Sequence, residues 1–414
     1  MASIRMQPVL RGKGVVGRRS ILATRSAHQL VVTSSPDPSH TPKPIIKYGP
    51  PTGGRSSDSG HTVTVFGCTG FLGRYLVQKL ARQGTQVIVP YRDEDEKRPL
   101  KIMGDLGQIV PMEWDARNAD QIAECVKRSD VVYNLVGRDW ETRNFKYEDV
   151  NVKAAGLIAE VSASLNVPRL VHVSHLNAHP DSASAFYRSK YHGERAVRDA
   201  FPTATIVRPS QMFGCEDWLL NAIAQYPILF KLNEGKTKIL PVHVMDVAGA
   251  LDLMLNAPVT SVASTFALPG PVLHTYNSLQ SLISSITLNP ISTAPTVPKP
   301  LAKAVATALN RGIWWPTVSP DEIERKYIDD LGIEAFQESS DLSKIQSGWA
   351  ESYKPEMKGI DGEEVKGWKE LDMTPDPIED HAIKYLRRYR AATSYDIPVE
   401  TGKHKPPKAY HVLP

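Results

Sequence analysis

Cysteine is scarce in this chain: three in 414 residues, Cys68, Cys125 and Cys215. An odd, sparse set makes a poor disulfide framework and fits a reducing compartment. The 12 histidines show no paired ligand spacing with the cysteines. No zinc site, iron–sulfur set or Walker-type phosphate loop is legible, so neither a metal nor an electron-carrying cluster is expected. No apolar run approaches the roughly 18 residues of a membrane span, so membrane association is expected to be peripheral or through a partner. Acidic residues are missing from the first 36 positions, which hold Arg5, Arg11, Lys13, Arg18, Arg19 and Arg25. Without those six, the 49 basic residues fall to 43 against 45 acidic ones. That body is slightly acidic and demands no nucleic-acid partner. A hydrophobic content of 41% is ordinary for a soluble protein with a sizeable core.

What is present starts with an address. Residues 1–35 are Arg-rich, contain Ser and Thr and lack acids, the composition of a mitochondrial transit peptide. A disordered basic tail has the same composition. Residues 36–60 are dominated by Pro, Gly and Ser and read as a linker or an extended arm.

A β-rich run, Thr62–Phe66, leads into Gly67-Cys68-Thr69-Gly70-Phe71-Leu72-Gly73. Helical apolar spacing follows at Leu72, Leu76, Val77 and Leu80 and stops at Gly84. A second strand is predicted at Gln86–Tyr91. The glycines thus sit where a strand turns into a helix inside a βαβ unit. One glycine permits the tight turn, one lets the backbone approach a pyrophosphate, and one lets helix and strand pack closely. The helix N-terminus then faces the phosphates with unpaired N–H groups. A glycine-rich turn in some other α/β protein is the plain alternative.

Arg92 stands about 20 residues past the loop, where an NAD site usually has an acid on the ribose. A guanidinium there pairs with a 2′-phosphate and favours NADP(H). Asp93 beside it could reach the ribose instead, and Arg92 could also be a solvated loop charge. A third strand, Ile109–Asp115, ends in an acid placed to accept from an adenine amino group, or to cap a helix. A fourth, Asp130–Gly137, ends in a small-residue turn, Leu135-Val136-Gly137, that would run beneath the cofactor. A helix at 150–166 and a strand at Arg169–Ser174 follow. The predicted class is α/β, a Rossmann-type doubly wound parallel sheet with ligands at the carboxyl ends of the strands. The Rossmann domain is expected over 61–290.

The G-x-x-G-x-x-G spacing resembles that of the extended and atypical short-chain dehydrogenases. The resemblance implies a serine after the fifth strand, and a tyrosine and lysine four apart on the next helix. Ser174 is near the serine position, and Lys190-x-x-Gly193-Glu194 marks Lys190 as the lysine. Four residues before Lys190 stands Phe186, and Tyr187 is three before it. Each helical residue turns about 100°, so Tyr187 points away from the direction of Phe186. A phenyl ring has no exchangeable proton for acid–base chemistry. Either Tyr187 substitutes after a local distortion, or the cofactor is bound without turnover. Lys190 can hold a ribose in both cases, and is otherwise a surface lysine.

Longer strings narrow the resemblance. Phe66–Tyr75, Val89-Pro90-Tyr91-Arg92, Val171–Ala178, Arg208–Asp217 and Pro241–Ala248 are similar to the short-chain-dehydrogenase-type accessory subunits of mitochondrial NADH:ubiquinone oxidoreductase, respiratory complex I. Leu371–Pro375 and Ala382–Arg390 extend the likeness weakly. The resemblance implies tightly held NADPH, other complex I subunits as partners, and a place on the matrix side where the two arms meet. It implies a structural or regulatory role, with tyrosine common where this chain has Phe186. A free mitochondrial NADP(H)-dependent oxidoreductase or epimerase is the competing reading, and a sensor of the NADPH/NADP⁺ ratio a third.

Beyond the Rossmann domain, a smaller C-terminal lobe is expected over 291–395 and an extended tail over 396–414. Pro290, Pro295, Pro298 and Pro300 precede a helical run, Leu301–Leu309, that Trp314-Trp315-Pro316 breaks. Trp349 and Trp368 suit either an interface or the core. Asp376 and Pro377 read as N-cap and first residue of a helix running to Arg390. Its basic end, Arg387, Arg388 and Arg390, suits the helix dipole, contact with anionic lipid headgroups, or plain solvation.

Overall fold

Val and Ile crowd the predicted strands on both side-chain faces, as strands covered on both sides require. The computed structural model describes residues 59–225, 230–255, 262–290, 294–312, 319–331, 359, 362–395 and 397, and the antiparallel pair Leu30–Val31 with Ile45–Ile46. The remaining transit, linker and tail residues, Trp314-Trp315-Pro316 and Trp349 lie outside the described residues. In chain order the main elements are β1 (Thr62–Phe66), α1 (Phe71–Arg82), β2 (Gln86–Tyr91), α2 (Glu94–Lys101), β3 (Ile109–Glu113), α3 (Ala119–Val126) and β4 (Val131–Asn134). Then come α4 (Ala154–Ser164), β5 (Arg169–Val173), α5 (Ala185–Ala200), β6 (Thr205–Pro209), α6 (Val244–Leu253) and β7 (Thr265–Leu268). Beyond the sheet come α7 (Tyr276–Thr287), α8 (Lys299–Gly312), α9 (Pro320–Arg325) and α10 (Ile378–Leu386).

All seven strands are parallel, in the order β3-β2-β1-β4-β5-β6-β7. The order reverses between β1 and β4, which opens a crevice at their carboxyl ends. On one face Val63 and Val65 of β1 join Leu76, Val77 and Leu80 of α1 and Val247 and Leu251 of α6. On the other, Phe66 joins Trp114, Ile122 of α3, Ile158 of α4 and Val197 of α5. This is a doubly wound sheet, as the alternation of β and α patterns predicts.

The predicted 150–166 helix has an unforeseen start. Glu148–Lys153 form a π turn before α4 begins at Ala154. It brings Asn151 against α5, where a Cβ at Gly193 would stand 2.1 Å from the Asn151 carbonyl oxygen. Beneath α5, Arg208 of β6 reaches Glu194 through two hydrogen bonds of 2.9 and 2.6 Å. Both are buried, so removing one partner costs about 3–5 kcal/mol.

Chain beyond the sheet returns to it. Lys366 pairs with β7 through bonds from Ala267 N to Lys366 O and from Lys366 N to Thr265 O. Trp368 is core, with its indole N–H donating to Pro269 O at 2.8 Å. The expected cap of the last helix is displaced. Pro377, not Asp376, occupies the N-cap of α10, without a side-chain cap. Asp376 instead donates its N–H to Asp246 and takes His381 Nε2 at 3.1 Å. The helix ends at Leu386, followed by a 3-10 turn, Arg387–Tyr389. There Arg390 is buried on the carbonyls of Ile286 and Ile397, Arg388 donates to Cys215 O and Asn221, and Arg387 lies over Tyr395. Among the described residues no helix is long and apolar enough to cross a membrane.

Candidate functional site

The glycine loop closes the gap between β1 and α1. Gly67 has φ +81°, and a Cβ there would stand 3.0 Å from the Leu135 carbonyl. A Cβ at Gly73 would meet Gly67 O at 2.3 Å and Cys68 Cα at 2.7 Å. Both are glycine because the protein's own backbone leaves no alternative. Gly70 differs: its Cβ would meet only Gly67 O, at 3.3 Å, which a small shift relieves. Gly70 is also the N-cap of α1, and no side chain caps that helix. The first-turn amides of Phe71, Leu72 and Gly73 therefore have no side-chain cap, the arrangement that takes a phosphate. Leu72 is buried in the core, while Phe71 is half-buried and edge-on to Tyr75. Thr69 offers its carbonyl to Arg74 Nε at 3.0 Å.

At the end of β2 Arg92 is exposed. Asp93 is committed elsewhere: its carboxylate caps α2 by accepting from Asp95 N at 3.1 Å. Sequence reasoning missed a second guanidinium, Arg138, just past the β4 turn. Burial, and then the nearby positive charge of Arg92, hold the Arg138 pKa below its usual value. Two cations thus converge near the ribose-reading position. Asp115 is exposed after β3, where its Oδ1 accepts from Arg117 N at 2.9 Å. It is not the helix cap; Asn118 takes that place on α3.

Deeper in the crevice Leu135 N donates to Phe66 O, and Val136 N to Asn134 Oδ1 at 3.1 Å. A Cβ at Gly137 would lie 2.8 Å from Lys190 Nζ, so this glycine makes room for the ammonium of α5. Lys190 is no surface lysine: it is buried, and desolvation lowers its pKa. Around it several buried polar atoms lack a protein partner: Ser174 Oγ, Asn134 Nδ2, Asn151 Oδ1 and both His172 nitrogens. Burial pushes His172 down to about 3, so it is neutral. Each unmatched buried group costs about 1–3 kcal/mol, and such a cluster is the mark of a polar ligand site. The glycine cradle, uncapped helix and orphaned donors and acceptors fit a dinucleotide.

Phe186 lies where a proton donor is expected. Its ring centroid is 5.8 Å from Lys190 Nζ. Tyr147 and His175 approach it at 5.8 and 6.1 Å, and the Arg325 guanidinium lies over it at 4.7 Å. Tyr187 turns to His175, 4.9 Å between centroids. Burial raises the Tyr187 pKa far above the ordinary value. α5 runs without a break from Ala185 to Ala200, so the distortion needed to swing Tyr187 toward Lys190 is absent. Tyr147, the other nearby phenol, donates to Asp139 O at 2.9 Å. Asp330 ties the lobe to this side of the cleft by accepting from Asn177, Ser210 and Leu240 N. Tyr147, Arg325 and Asp330 carry no local sequence signal for this assembly.

Away from the cleft, ligand atoms of His243, Asp376 and His381 lie within 4.8 Å of one another, a grouping no sequence spacing suggests. The two imidazoles stack at 4.2 Å and 14°. Lone pairs in parallel rings do not converge, and His243 Nε2 is 2.8 Å from Tyr385 Oη. The group acts as a hydrogen-bonded latch between the start of α6 and α10.

A 3-2-1-4-5-6-7 parallel sheet, a glycine turn at its switch point and a buried lysine on the helix after β5 define a Rossmann-type protein of the extended short-chain-dehydrogenase class. Residues 63–266 match the NAD dependent epimerase/dehydratase family. The crystal structure of gox2253 superposes with a TM-score of 0.54 at 18% identity, covering 80% of this chain and 98% of that one. The chain is 42% identical over 365 residues to the "NADH-ubiquinone oxidoreductase 40 kDa subunit, mitochondrial" of Neurospora crassa, covering 88% of each. It is 39% identical over 355 residues to "NADH dehydrogenase (ubiquinone) 1 alpha subcomplex subunit 9, mitochondrial" of Rattus norvegicus, covering 84% of each. The chain belongs to the family of these 40 kDa and alpha subcomplex subunit 9 proteins.

Proposed function

We propose that this chain is an accessory subunit of mitochondrial complex I that holds NADPH without turning it over, on the matrix side near the junction of the two arms. The observation that carries the reading is the 42% identity to a named complex I subunit across 88% of both chains. Gly67, Thr69, Gly70, Phe71, Leu72 and Gly73 would cradle the pyrophosphate, and Leu135, Val136 and Gly137 would run beneath it. Arg92, with Arg138, would take the 2′-phosphate; the commitment of Asp93 to α2 supports NADPH over NADH. Asp115 would face the adenine amino group, and Lys190 and Ser174 the nicotinamide ribose side. NADPH supplies a hydride where it reacts. Here Phe186 stands where the proton donor is expected, and a phenyl ring exchanges no proton.

Size separation of detergent-solubilised mitochondria tests this. The chain is expected to travel with the large respiratory complex; migration only as a free protein overturns the reading. The retention of Ser174 and a buried Lys190 favours one alternative, an NADP(H)-dependent oxidoreductase or epimerase. Stoichiometric oxidation of bound NADPH by a carbonyl substrate would establish that alternative.

A further inference from the structure

From Leu253 to Pro320 the chain contains no aspartate or glutamate. Helix α8 lies within this acid-free stretch. Its residues Leu301, Ala304, Val305, Ala308 and Leu309 recur at helical spacings of three and four and share one face. All five are exposed, Leu301 at 56%, Val305 at 51% and Leu309 at 38%. What attaches the helix to the protein is its small side: buried Ala302 and Ala306 pack with Ile323, Leu232, Val297 and Tyr327. The helix docks on alanines and turns its large aliphatic side chains to solvent, the reverse of a helix that only covers a core.

Charge sets the partner. The ionisable residues of α8 are Lys299, Lys303 and Arg311. Lys299 and Lys303 share a single carboxylate, Glu324, at 2.6 and 2.7 Å, so the flank stays positive. In sequence, Ile313-Trp314-Trp315 follows directly. An apolar face bordered by two lysines, on a helix that carries no acid of its own and whose one paired carboxylate is Glu324 of α9, is the chemistry of a helix lying in a membrane interface. The arginines after α10 are less suited, since Arg390 is buried and Arg388 donates to the protein.

We propose that α8 is a contact for an anionic phospholipid surface, with Leu301, Val305 and Leu309 among the acyl-chain ends and Lys299 and Lys303 at headgroup depth. The contact is separate from the nucleotide site and does not rest on complex membership. The test is flotation of the full purified chain with phosphatidylcholine vesicles, with and without phosphatidylglycerol. Capture is expected only with the anionic lipid and should weaken with salt. The variant Leu301→Ser/Val305→Ser/Leu309→Ser should lose at least about tenfold in partitioning, with nucleotide content and melting temperature held, because the side chains are exposed. A second readout is Val305→Trp, whose added emission should shift to the blue with anionic vesicles. Undiminished capture of the triple variant, or emission that does not move, overturns the proposal. Self-association lost in the triple variant without any flotation also overturns it, and makes a second copy the occupant.

Discussion

The two ends of the crevice are built on opposite plans. At the β1–α1 end backbone carries the site: Gly67 and Gly73 are compressed against neighbouring chain, and the first turn of α1 has no side-chain cap. At the α5 end side chains fill the space, with Phe186 enclosed by Tyr147, His175, Tyr187 and Arg325. The first end is equipped to hold an anion, whereas the second has a lysine but an apolar ring where proton transfer would occur. Holding a nucleotide and reacting with it are therefore separable demands, and the residues present are arranged for the first.

The largest expected break in that contrast is Gly73→Ala. A Cβ 2.3 Å from Gly67 O must displace backbone, so a loss above about 3 kcal/mol is expected in thermal or denaturant unfolding. Gly70→Ala should change stability by less than about 1 kcal/mol yet reduce nucleotide retention, because the added methyl would crowd the proposed phosphate cradle while meeting only Gly67 O in the protein. Equal destabilisation by the two would erase the distinction between structural and ligand-facing glycines. Next is Arg92→Ala, which removes a charge-assisted contact and should cost NADPH about ten- to a hundredfold in affinity while sparing NADH. Competition titrations with both nucleotides measure this, and equal losses would refute the assignment.

Asp252, on α6 against the opposite face of the sheet, gives a pH-dependent contrast. Burial raises its pKa from 3.8 to about 6, and its Oδ1 lacks a partner while Oδ2 takes Gln83. The folded state therefore binds more protons than the unfolded one between these values, and stability falls as pH rises from about 4 to 6. Asp252→Asn should remove that fall and stabilise the protein at pH 7 by up to about 2 kcal/mol. Melts across pH 4–8 decide it, and an unchanged slope would show that the carboxylate is not stressed. The smallest effect is Phe186→Tyr, expected within about 1 kcal/mol in stability. No NADPH oxidation is expected, since a hydroxyl alone does not clear the surrounding rings. Turnover in this variant, followed at the nicotinamide absorbance, would show a site one proton donor short of activity.

Much of the fold is legible because parallel strands advertise themselves. The expected strands Thr62–Phe66 and Gln86–Tyr91 match the observed ones, and the other expected strands differ by one to three residues at their ends. The glycine loop and the direction of Tyr187 follow from local spacing, whereas Lys190 follows from the family resemblance. Other features depend on tertiary contacts that outbid local preference. Asp376-Pro377 looks like a helix start, yet Asp376 is drawn to Asp246 and His381. The π turn that delivers Asn151 has no motif, and Arg138 becomes relevant only when the sheet brings the carboxyl ends of β2 and β4 to either side of β1. Lys366 and Trp368 sit in a charged stretch that reads as loop, and only β7 gives it a partner.

The most direct test of the contrast is to release and identify the nucleotide carried by the purified protein. The account predicts NADPH in about one-to-one ratio, retained through purification and unchanged after incubation with candidate carbonyl substrates. Recovery of NAD(H), of no nucleotide, or of NADP⁺ formed on adding substrate would contradict it.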